Sequence, residues 1–81
     1  MTIKILLFAS AADIAGNQSV SVEVPAGATI ADVAGAVRNA LPELSSLLGV
    51  SRWAVNCDFV PLTARIADGK EVALIPPVSG G

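Results

Sequence analysis

The clearest periodic signal in this chain is a single amphipathic helix. Ile30, Val33, Ala34, Val37 and Leu41 fall at i, i+3, i+4, i+7 and i+11, which aligns them along one side of a helix and leaves that side needing a surface to cover it. Thr29 reads as the N-cap with Asp32 at the third helical position, and Pro42 forces a break at the other end. Gly35 costs about 1 kcal/mol against Ala inside a helix, so its presence points to close packing on a sheet. Residues 43–48 read as a further turn closed by Gly49.

The covering surface has to come from strands. Residues 3–9 are β-branched and apolar with Lys4 the one polar member, the pattern of a central strand, and Gly16-Asn17 marks the turn that follows residues 10–17. Val20, Val22 and Val24 alternate with Ser19, Ser21 and Glu23 until Pro25 and Gly27 intervene, the period-2 signature of a half-buried strand. Residues 52–56 and 58–61 are two shorter strands, and Asp68-Gly69 turns the chain into a last one over 71–75. The expected order is β-β-α-β-β-β, and 81 residues leave room for one core only. One helix on one sheet therefore makes an α+β, two-layer domain.

Composition narrows the chemistry. Five cations (Lys4, Arg38, Arg52, Arg65, Lys70) are scattered against seven acids for a net charge of −2, and the only aromatics are Phe8, Trp53 and Phe59. A nucleic-acid footprint would need clustered basic residues with aromatics to stack bases. With no His and one Cys, the chain can build neither a Ser/His/Asp triad, a Cys/His dyad, a His-assisted zinc site nor an internal disulfide. The run at residues 5–9 is shorter than the ~7–15 residues of an export signal's apolar core, and no run reaches the ~18 residues of a membrane span. The expectation is a cytoplasmic protein without membrane or nucleic-acid partners. Asp58, Asp68 and Glu71 are explained by turn and hairpin roles, and Trp53 by the core or an interface. Cys57, considered as a holder of persulfide sulfur, reads as a small buried hydrophobe, since a lone Cys next to a strand is usually one and no cation stands beside it in the sequence.

The segment after residue 75 escapes this account. Pro76-Pro77-Val78-Ser79-Gly80-Gly81 couples a stiff polyproline-like spacer to a terminus without side chains. Its chemistry would reside in the Gly81 carboxylate, a poor electrophile until activated, for example as an acyl-adenylate. Glycine suits that role because its backbone enters a narrow site and its carbonyl carbon is unhindered.

This tail, the Asp68-Gly69-Lys70-Glu71-Val72 turn, the Ala54-Val55-Asn56 strand and the opening Ile3-Lys4-Ile5-Leu6-Leu7-Phe8-Ala9 together resemble the small, sulfur-carrying subunits of molybdopterin synthase, across essentially the whole chain. The resemblance implies a ubiquitin-like β-grasp domain over residues 1–75, with a mixed sheet of four to five strands on one main helix, and a flexible tail over 76–81. It implies a carrier without a catalytic site of its own that binds no cofactor. An E1-like enzyme would adenylate Gly81 using ATP and Mg²⁺, and a sulfurtransferase would supply the sulfur of a thiocarboxylate. Pro76, Pro77, Val78, Ser79 and Gly80 would then insert into the large subunit, where two carriers in succession convert cyclic pyranopterin monophosphate to molybdopterin within a heterotetramer of two small and two large subunits.

Strand parity adds a docking surface. If Ile3, Ile5, Leu7, Val72 and Leu74 face the helix, then Lys4, Leu6, Phe8, Ala73 and Ile75 face outward. With Phe59, the outward apolar residues form a patch suited to the large subunit. Two departures from relatives stand out. Ala12-Asp13 occupies a place where many have a basic and an acidic residue, and Leu74-Ile75 one where aromatics are common. Rival readings are a sulfur carrier for thiamin thiazole synthesis, a ubiquitin-like protein modifier, and an interaction module with an inert tail.

Overall fold

The computed structural model describes residues 1–77. Strand β1 (Thr2–Leu7) leads into helix α1 (Ala9–Ala15), and β2 (Ser19–Glu23) follows. The main helix α2 (Ile30–Ala40), a 3₁₀ turn (Pro42–Leu44) and the one-turn helix α3 (Ser45–Leu48) precede strands β3 (Arg52–Val55), β4 (Asp58–Val60) and β5 (Glu71–Ile75). The sheet order is β2-β1-β5-β3-β4, with β1 and β5 parallel and the other neighbours antiparallel. It is the expected mixed sheet of five strands on one main helix. Among the described residues no helix is long and apolar enough to cross a membrane.

The strand parity read from the sequence holds. Ile3, Ile5, Val72 and Leu74 are fully buried, and Leu7 nearly so, in one cluster with Ile30, Val33 and Val37 of α2. Val22 and Val24 join that cluster, as do Leu44 and Leu48 from the turn after Pro42. Trp53 is buried there too and pairs across strands with Leu74, so it belongs to the core.

Helix α2 begins where its cap was expected. The Asp32 N–H donates to Thr29 Oγ1 (3.3 Å) and the Thr29 N–H donates to Asp32 Oδ2 (3.0 Å), a reciprocal capping box. The two preceding amides are also used. Ile30 N–H donates to the Ala64 carbonyl and Ala31 N–H to that of Leu62, at 2.9 and 3.0 Å. All the N-terminal amides of α2 that lack intrahelical acceptors are therefore occupied, and the segment between β4 and β5 is pinned to the helix.

Four expectations are corrected. Residues 10–17, read as a connection, contain α1, which Gly16 ends in the left-handed conformation (φ 73°) with its N–H on the Ala12 carbonyl. Gly35 is not there for close packing: a Cβ built on it would meet nothing within 4 Å. Cys57 is exposed, not buried. It forms with Asn56 a two-residue hairpin loop between β3 and β4, both at positive φ (53° and 68°), the geometry whose twist matches that of the flanking strands. Asn56, expected at the end of the third strand, is thus a turn residue.

A candidate docking face beside the tail

Because α2 covers one side of the sheet, the alternate residues of the central strands are left on the other. The register places Leu6 beside Ala73, Ala73 beside Ala54, and Ala54 beside Phe59, a single row crossing β1, β5, β3 and β4. Two alanines in the middle, flanked by larger side chains, make the row a trough. Together with Phe8 and Ile75 these residues line a groove of about 530 Å³, also bordered by Asn56, Cys57 and Glu71. Phe8 and Phe59 are 47% and 54% exposed, a costly arrangement for two phenylalanines in so small a domain unless another surface covers them.

Polar groups rim the trough. At one end Lys4 Nζ lies 3.6 Å from Glu71 Oε2, both side chains half exposed, a pair worth little in stability but one that cancels its own charge locally. At the other end Arg52, beside Ile75 in the ladder, lays its guanidinium over the Phe59 ring at 3.9 Å from the centroid.

Of the expected interface residues, the structure brings Phe8, Phe59 and Ile75 together on this face. Sequence reading missed Ala54, Cys57 and Arg52 as part of it. Ala54 and Arg52 share the outward parity of β3, so the signal existed once β3 was known to lie beside β5. The expected tail begins on the body: Pro76 is buried and Pro77 exposed, Pro76 continuing the inward parity of Val72 and Leu74. Val78, Ser79, Gly80 and Gly81 lie outside the described residues. Asp13 of α1 makes no ion pair among the described residues. Nor is there among them a group of three or more His, Cys, Asp or Glu side chains able to hold a metal ion.

Comparison with known proteins agrees with this geometry. The model of the ThiS family matches residues 5–81. The molybdopterin synthase sulfur carrier subunit of Chlamydomonas reinhardtii is 37% identical over 83 aligned residues, covering all of both chains. Small archaeal modifier protein 1 of Haloferax volcanii is 37% identical over 83 aligned residues, covering 93% of this chain and 95% of the relative. The crystal structure of SAMP1 from Haloferax volcanii superposes with a TM-score of 0.90 at 34% identity, over the whole of both chains. The resemblance drawn from the residues and the β-grasp architecture both stand.

Proposed function

The chain belongs to the ThiS family, and from that premise we propose that it is the sulfur-carrier subunit of a molybdopterin synthase, working in the cytoplasm. The observation that carries the reading is continuity. Strand β5 borders the exposed apolar trough through Ala73 and Ile75 and runs directly into Pro76 and Pro77, and the family match extends from there to Gly81. A partner that covers the trough is thereby positioned to receive the tail.

The chemistry follows from the carboxylate. A Gly81 carboxylate oxygen attacks the α-phosphorus of ATP, held with Mg²⁺ by the E1-like activating enzyme, and pyrophosphate leaves. A sulfide-level sulfur delivered by a sulfurtransferase then attacks the carbonyl carbon, the bond to AMP breaks, and a thiocarboxylate remains. Pro76 to Gly80 carry it into the large subunit, where it gives its sulfur to cyclic pyranopterin monophosphate. Two carriers and two large subunits form the working assembly. Ordering the tail costs conformational entropy, which burial of Phe8, Phe59 and Ile75 offsets.

Intact-protein mass spectrometry tests this. Incubation with ATP, Mg²⁺, sulfide and the activating enzyme should exchange one oxygen for sulfur at Gly81, and a variant extended by one residue beyond Gly81 should not react. An unchanged mass with folded, full-length protein refutes the carrier reading.

A second reading has its own support in the similarity to small archaeal modifier protein 1. As a modifier, the activated Gly81 would pass to a target lysine as an isopeptide. Higher-mass conjugates in cells that vanish on deletion of Gly80 and Gly81 would establish it, and their absence beside an active synthase would exclude it.

A further inference from the structure

The geometry points to Arg52 as the residue that reads a carboxylate on the partner, at the point where the tail enters it. This rests on the docking reading above and adds to it the chemistry of the partner's rim. Three observations converge. Arg52 is the Cα partner of Ile75, the last residue of β5, so its charge stands beside the end of the last strand, just ahead of Pro76 and Pro77. The single ion pair among the described residues is Lys4–Glu71, so the other end of the trough is locally neutral while Arg52 has no acidic partner among them. Its guanidinium carbon lies over the Phe59 ring, 3.9 Å from the centroid, and the guanidinium is in no ion pair among the described residues.

That combination is suited to recognition. Stacking limits the rotamers of a long side chain before binding, and the planar edge offers paired donors that match a carboxylate in two parallel hydrogen bonds. Docking buries the trough and lowers the local dielectric, which strengthens such a pair. The local charge is also opposite in sign to the chain's net −2, so the contact fixes orientation as well as affinity. The expected occupant is an Asp or Glu of the large subunit, set beside the channel that takes the tail.

The test measures the dissociation constant of the full-length chain for the large subunit at low and high salt, in five variants, Phe59→Glu among them. Arg52→Glu should weaken binding by about 30-fold or more, and Arg52→Lys by about 5-fold, because a point charge cannot make the bidentate contact. Phe59→Leu, which keeps an apolar side chain but removes the stack, should fall between wild type and Arg52→Glu and weaken the salt dependence. Arg65→Glu, at an exposed side chain on the segment bridged to Thr29 and outside the trough, should change binding by less than about 3-fold. If Arg52→Glu binds like wild type while Phe59→Glu abolishes binding, the trough is the docking face and the assignment of Arg52 is wrong. If neither substitution matters, the docking reading itself fails and takes the assignment with it.

Discussion

Replacing Gly35 with alanine should stabilise the protein, and the size of the gain follows from the structure. Gly35 lies in the middle of the 11-residue α2, where glycine is about 1 kcal/mol less favourable than alanine because it has more backbone entropy to lose. A Cβ there meets nothing within 4 Å, so the substitution meets no clash and makes no new contact. The backbone term stands alone, and in a domain of this size a gain of about 1 kcal/mol raises the melting temperature by about 4–8 °C. Gly16→Ala makes the contrast. Its Cβ also meets nothing within 4 Å, but its φ is +73°, and the left-handed conformation costs an L-residue about 1–2 kcal/mol. Equal space with opposite backbone requirements should give opposite signs. Thermal melts followed by circular dichroism, with urea titrations to check that the slope is unchanged, measure both. A lower melting temperature for Gly35→Ala would mean that the helix lies closer to a neighbour than described, and stabilisation by Gly16→Ala would refute the αL cap.

Further substitutions test other parts of the fold. Cys57→Gly relieves an L-residue at φ 68° and creates the Asn-Gly pair that two-residue hairpins favour, so stability should rise by about 1 kcal/mol; thiocarboxylate formation at Gly81 should be unaffected, and its loss would mean that the thiol takes part. Thr29→Ala removes the cap acceptor for the Asp32 amide and should cost about 1 kcal/mol in urea unfolding. Leu44→Ala, at a fully buried site on the 3₁₀ turn, should cost about 3 kcal/mol. Leu62→Ala, at a side chain 53% exposed, should stay within about 0.5 kcal/mol of wild type.

What could be read in the sequence was whatever a local period or an obligatory backbone residue encodes. Lys4 alone among Ile3, Ile5, Leu6 and Leu7 was enough to set the faces of β1, because a one-residue slip would bury a charge. The α2 cap was legible because Thr29 and Asp32 fulfil it between themselves. Helix α1 was not: seven residues with Ala11 as their one buried side chain carry no stripe, and the helix is fixed by packing and by Gly16. Cys57 was misplaced for a similar reason. Asn-Cys is a weak signal for a two-residue turn, and the twist of β3 and β4 imposes the positive φ values. Gly35 shows a different limit, since composition reveals a cost but not whether a neighbour compensates it. The Arg52–Phe59 stack depends on register across two strands, and the docking trough on four.

The arrangement of face and tail constrains the partner as well as the carrier. Six residues, 76 to 81, span at most roughly 20 Å even when fully extended, and Pro76 is still buried on the body. On the proposed reading the Gly81 carboxylate therefore acts within about that distance of Ile75. Any site that uses Gly81 must lie within that radius of whatever covers Phe8, Phe59 and Arg52, whether it adenylates, accepts sulfur from the thiocarboxylate or forms an isopeptide. If a partner docks on the sheet face as proposed, insertion of the tail becomes an intramolecular event, and the terminus reaches its site at high effective concentration. On the proposed reading the same constraint lets the chemistry rest on glycine: with specificity and affinity assigned to the trough and its rim, the end of the chain need only be narrow enough to enter.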